Sequence, residues 1–157
     1  MTAMDGCPGS KMIDRSDEDS GDDQNVTIKS QLKQWPIQMH LISPQAPYYE
    51  GADVLLVADC VAYAMGGFHG DYLKGKSIAI ACPKLDEGQD VYAAKIKSWF
   101  EDAKINTLTV MIMEVPCCMG LQVLAQKALQ DSSRKAPLRS IVVGLDGEIR
   151  SEEWVSS

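Results

Sequence analysis

The chain is predicted to be an α/β protein with three layers. A mainly parallel sheet of about 4–5 strands carries helices on both faces, in the Rossmann or flavodoxin-like manner. Short, nearly continuous apolar runs recur along the sequence, as strands buried on both faces require. Stretches with helical spacing separate them. Strands alternating with helices form βαβ units, and right-handed crossovers assemble such units into a parallel sheet.

Residues 1–30 are rich in Asp, Ser and Gly without apolar periodicity and are expected to be a flexible acidic leader or linker. Within them "GCPGS" (6–10) is turn-prone and carries Cys7. Residues 31–157 are expected to form a single α/β domain. "PIQMHLI" (36–42) reads as a first strand, and "PQAPYYEG" as a Pro-rich connection with one helical turn. "DVLLVA" (53–58), "SIAIA" (77–81), "TLTVMIM" (107–113) and "SIVVG" (140–144) are the buried strands. Val61, Ala64, Met65, Phe68 and Tyr72 suggest a helix after the first of these. Its Gly66-Gly67 pair costs roughly 2 kcal/mol against alanine, so a break is expected there. Tyr92, Ile96, Trp99 and Ala103 share one face of the next helix, and Leu121, Leu124, Ala125, Ala128 and Leu129 one face of the last. "LDGEIRSEEWVSS" reads as a turn and a polar tail, with Trp154 folding back.

The chain has 157 residues, of which 45% are hydrophobic and 24% charged, as expected for one soluble domain. No apolar run is long enough to cross a bilayer, and the N-terminus has no apolar stretch of the secretory type. Five cysteines, an odd number, together with the absence of a secretory pattern favour a reducing, cytoplasmic location over a disulfide framework. A net charge of −7 with scattered Lys and Arg argues against a nucleic-acid partner. Much of that charge sits in "DRSDEDSGDD" (14–23).

Cys60, Cys82 and the pair Cys117-Cys118 each lie just past the carboxyl end of a predicted strand. In open α/β sheets ligands bind in the crevice beyond those ends. Neighbouring strands lie about 4.8 Å apart, so thiols on their end loops can converge. Cys60 and Cys117-Cys118 also open predicted helices, where free N–H groups and the helix dipole favour thiolate. Three or four sulfurs suit zinc or an iron–sulfur cluster, with His69 a candidate nitrogen ligand and Cys7 a further sulfur. The plainer reading is that these small residues simply pack, since cysteine is among the most buried residue types. Asp59, Asp86 and Glu114 also fall at strand ends, as acids, bases, caps or turn formers. There is no glycine-rich dinucleotide motif, P-loop or nucleophile elbow.

"SQLKQWPIQMHLISPQAPYYEGADVLLVADC", "FHGDYLKGK", "ACPKLD" and "MEVPCCMG", in this order, resemble the C-terminal domain of ferredoxin-like iron–sulfur proteins of anaerobic bacteria and archaea. The resemblance spans roughly residues 6–147. The N-terminal ferredoxin module of that family, with its CxxCxxCxxxCP runs, is not among these residues. The resemblance thus implies the companion domain alone, acting in electron transfer. The matching positions are Cys60, Cys82, Cys117 and Cys118, with His69, Lys84, Asp86 and Glu114 nearby.

Three functions compete. The first is a metal or iron–sulfur domain in cytosolic electron transfer, non-enzymatic by first expectation, working with a ferredoxin or oxidoreductase subunit or as a homo-oligomer. Its metal ligands would be Cys60, Cys82, Cys117, Cys118 and His69. The second is a thiol-dependent redox protein or enzyme using Cys117 or Cys118, tuned by Glu114 or His69. The third is a docking module whose cysteines only pack, offering "QLKQWP" or the acidic leader to its partner, although Trp35 reads first as a core anchor.

Overall fold

The predicted buried runs become strands because apolar residues on both pleat faces need cover on both sides. The computed structural model describes residues 10–18 and 27–155. Its strands are β1 (Asp53–Ala58), β2 (Ser77–Ala81), β3 (Thr107–Met113), β4 (Leu138–Val143) and β5 (Ile149–Val155). In β1 and β3 every residue after the first is buried, so both sheet faces are covered. The strand order is β2-β1-β3-β4-β5. β1 through β4 run parallel, and β5 joins β4 antiparallel. The result is a three-layer α/β fold with a mixed, mostly parallel sheet.

Helix α1 (Val61–Ala64) stops at the Gly66-Gly67 pair, and the chain resumes as a single π-type turn over His69–Leu73. The expected break is therefore present. Helix α2 (Gln89–Glu101) buries Tyr92, Ile96, Trp99 and Phe100, and α3 (Met119–Asp131) buries Leu121, Ala125, Ala128 and Leu129. Each large side chain so buried contributes roughly 1.5–3 kcal/mol. α2 and α3 pack against each other on one face of the sheet. The right-handed crossover from β1 to β2 puts α1 on the other.

Two edges differ from expectation. "PIQMHLI" is not a strand. Only Gln38 bridges Ile80, after which the chain turns, with Leu41 and Ile42 donating to the Gln38 carbonyl. Gln34 acts as an extra rung on the open edge of β2, its amide donating to the Ile78 carbonyl at 2.8 Å and accepting from the Ile78 N–H at 2.7 Å. Trp35 is 74% exposed and anchors nothing in the core, whereas Trp99 is fully buried. At the other edge the polar tail is a strand, β5, mostly exposed along its length. Asp146-Gly147 makes the hairpin turn, with Gly147 at φ +86°, where a side chain is disfavoured. Trp154 does fold back, opposite Arg139, whose guanidinium lies 5.6 Å from the indole centre.

Candidate functional site

In the order β2-β1-β3 the crossovers leave β1 in opposite directions, which opens a crevice at the carboxyl ends of β1 and β3. Three loops end there. Cys60 follows β1 by two residues, Cys82 follows β2 directly, and Cys117-Cys118 lie in a 3-10 turn, Pro116–Cys118, that leads into α3. All four cysteines line one cavity of about 300 Å³. Met113, Val115, Leu85 and Leu145 make its walls apolar, and Lys84 and Ser10 complete the lining. None of the four cysteines is in a disulfide; Cys60 is exposed, Cys82 and Cys117 are half-buried, and Cys118 is buried.

The loops are held by specific bonds. Asp86 Oδ2 accepts from the Cys82 N–H at 2.9 Å, from Gln38 Nε2 at 3.3 Å and from the Tyr92 hydroxyl. The Asp86 N–H in turn donates to the Cys82 carbonyl at 2.8 Å, closing the Cys82 loop in both directions. Gly120, in the first turn of α3, lets this loop approach the helix, since a Cβ there would stand 3.3 Å from Pro83 Cβ. Glu114 accepts from Arg150 Nε at 2.9 Å and from the Leu145 N–H at 3.3 Å, tying the β4–β5 turn to the end of β3. From the leader, Arg15 donates to the Leu145 carbonyl at 3.2 Å.

Burial opposes thiolate at Cys118. Burial pushes the Cys118 thiol up to about 11; bonding from the Met113 backbone pulls it down, while Cys117, hydrogen-bonded to it, and Cys60 push it further up. The expected dipole effect does not prevail at Cys118, and α1, which Cys60 caps, is only four residues long, too short to build a substantial dipole. Burial, together with the charge of Asp86, also raises the Asp59 carboxyl.

The matching family is the Rossmann-like domain, over residues 46–156. The chain belongs to that family. A protein of Archaeoglobus fulgidus, described only as uncharacterized, is 28% identical over 120 residues, covering 76% of this chain and 83% of its own length. No solved structure matches the chain.

This Rossmann-like domain thus brings together four of the five residues that the sequence singled out as metal ligands. His69 is not one of them. Its Nδ1 accepts from the Gln31 N–H at 3.1 Å, and its ring lines a different cavity with Asp59 and Phe68. The irregular chain after Gly66-Gly67 carries it away from the thiols. Cys7 lies outside the described residues. Among the described residues, no three or more His, Cys, Asp and Glu side chains stand at the spacing that holds a metal ion. No helix among the described residues is long and apolar enough to cross a membrane.

Sequence reasoning missed Met113, Val115 and Leu145 as walls of the cavity. Met113 and Val115 carried a usable signal, because they flank Glu114 at the end of β3. Leu145 carried none without the hairpin.

Proposed function

We propose that the cysteine-lined cavity holds an iron–sulfur cluster and that this domain carries electrons in the cytoplasm, to or from a ferredoxin or an oxidoreductase subunit. The observation that carries this reading is the convergence of Cys60, Cys82, Cys117 and Cys118, from three separate loops, on one apolar cavity. Four thiolates are the usual ligand set of such clusters. A single zinc ion would require sulfurs about 2.3 Å from a common centre. A cluster is bulkier and suits four cysteines lining about 300 Å³ better. Once bound, it would supply one-electron transfer and the positive charge that keeps a buried Cys118 ionised. Lys84 adds a cation to the same lining, and Asp86 orients Cys82.

The test is anaerobic preparation, or reconstitution with iron and sulfide, followed by elemental analysis and visible absorption. Iron and acid-labile sulfide in equal amounts, with a thiolate-to-iron band that dithionite bleaches, are expected. Cys82→Ser and Cys118→Ser should each lose the band. A folded protein that stays colourless after reconstitution overturns the reading. Contact between the Cys117 and Cys118 thiols favours a second one, a dithiol redox protein. That protein would be colourless, and its Cys117–Cys118 disulfide form would take up two electrons and two protons to return the two thiols.

A further inference from the structure

The cysteine-lined cavity is bordered by a segment that belongs to neither the sheet nor the helices. Ser10 lines the cavity together with Cys82, Cys117 and Leu145. Farther along, Arg15 Nη1 donates to the Leu145 carbonyl at 3.2 Å. The segment thus meets the cavity at its lining and at its hairpin wall. Burial does not hold it there, because every residue from Ser10 to Glu18 is exposed, Met12 and Ile13 included. Its far end is folded to aim one side chain. Asp14 Oδ1 accepts from the Ser16 N–H at 2.9 Å and from the Ser16 hydroxyl at 2.6 Å, and the Glu18 N–H donates to the Arg15 carbonyl at 3.1 Å. These are the bonds of an Asx turn followed by a β-turn. Glu18 Oε2 accepts from Arg15 Nε at 2.9 Å and from Nη2 at 2.7 Å. A guanidinium is planar, so holding that edge fixes the direction of Nη1, which falls on the Leu145 carbonyl. Glu114 takes the Leu145 N–H at 3.3 Å, so this wall residue is clamped through both its backbone groups. Exposed contacts of this kind are weak, so the segment can lift without disturbing the fold beneath it.

We infer that residues 10–18 form a strap at the cysteine-lined cavity that controls access to its thiols, with Arg15 as the latch and Glu18 as the residue that positions it. Lifting the strap takes Ser10 out of the lining and uncovers Cys82 and Cys117, which are half-buried with it in place. Cys60 is exposed already and is indifferent to the strap. The strap's role rests on the proposed function only in that these thiols are the working groups of the site, and a chain that takes up no cluster still tests it.

The test is timed alkylation of the reduced, metal-free full chain with N-ethylmaleimide, read at each cysteine by peptide mass spectrometry. In Arg15→Ala the initial rates at Cys82 and Cys117 should rise about fivefold, the weight of one net hydrogen bond holding the closed form. Cys60 should label at the parent rate. Glu18→Ala should act in the same direction but less strongly, because Arg15 keeps its charge and loses only its aim. Both substituted residues are exposed, so the urea midpoint should stay at the parent value. Unchanged rates at Cys82 and Cys117 in Arg15→Ala overturn the inference. Faster labelling that comes with a lowered urea midpoint overturns it too, because a loosened fold rather than a lifted strap then admits the reagent.

Discussion

Asp59 and Cys60 are neighbours at the carboxyl end of β1, yet each lines a different cavity. The cysteine-lined cavity is made by loops that leave three adjacent parallel strands, and each loop is fastened by hydrogen bonds to the framework. The His69 cavity is walled by two strands and by chain with little regular structure, α1, the His69–Leu73 turn and the lead-in residues Leu32 and Ile37. The two cavities thus differ in how their walls are built, hydrogen-bonded loops past parallel strands in one and short irregular segments in the other.

The change expected to disturb both cavities together is Gly147→Val. Gly147 has φ +86°, and a Cβ there would stand 2.1 Å from the Ala64 carbonyl oxygen at the end of α1. Strain and overlap act together, so a loss of about 2–4 kcal/mol is expected. α1 follows Cys60 and supplies Ala62 and Tyr63 to the second cavity, so its displacement should disturb the walls of both. Urea unfolding measures the first effect, and cluster reconstitution the loss at the cysteine-lined cavity. An unchanged unfolding midpoint would mean that α1 does not rest on the hairpin turn.

A narrower change separates the two cavities. Asp86→Ala removes the acceptor shared by the Cys82 N–H, Gln38 and the Tyr92 hydroxyl. Leaving those donors unpaired should cost about 1–3 kcal/mol. Cluster retention after reconstitution should fall, because the Cys82 loop loses its anchor. Asp86→Asn keeps an acceptor oxygen and should recover part of the retention. Full retention in Asp86→Ala would show that the Cys82 loop does not depend on this anchor.

The region built on regular parallel strands is also the more legible one. β1, β2 and β3 begin and end where their apolar runs do, because burial on both faces leaves no alternative pattern. Cysteines just past those ends could be placed on neighbouring loops before any coordinates. β5 was hidden, since an edge strand packed on one side can be almost wholly polar, and only the Asp146-Gly147 pair marked its turn. Trp35 illustrates the limit of composition, for a large aromatic in sequence says nothing of which side of the chain meets the core. His69 stands apart from the thiols for a related reason. Its position depends on how an irregular segment packs, which no periodicity encodes.

Tyr49 tests the other side of the comparison, at the β2 wall. Its hydroxyl donates to the Ile78 carbonyl at 2.9 Å and accepts from Gln34 Nε2 at 3.1 Å, behind the β2 wall of the His69 cavity. Burial raises the phenol well above its ordinary value. The native state therefore keeps a proton that the unfolded chain releases above about pH 10, so stability falls as pH rises from there. Tyr49→Phe should cost about 1 kcal/mol at neutral pH through the lost hydrogen bond. The variant should also lose less stability between about pH 8 and about pH 11 than the parent. A residual slope is expected from Tyr92, which burial raises in the same direction. Urea midpoints at the two pH values measure the difference. Parallel losses in parent and variant would mean that the Tyr49 hydroxyl reaches water, and that the β2 wall of the second cavity is open from behind.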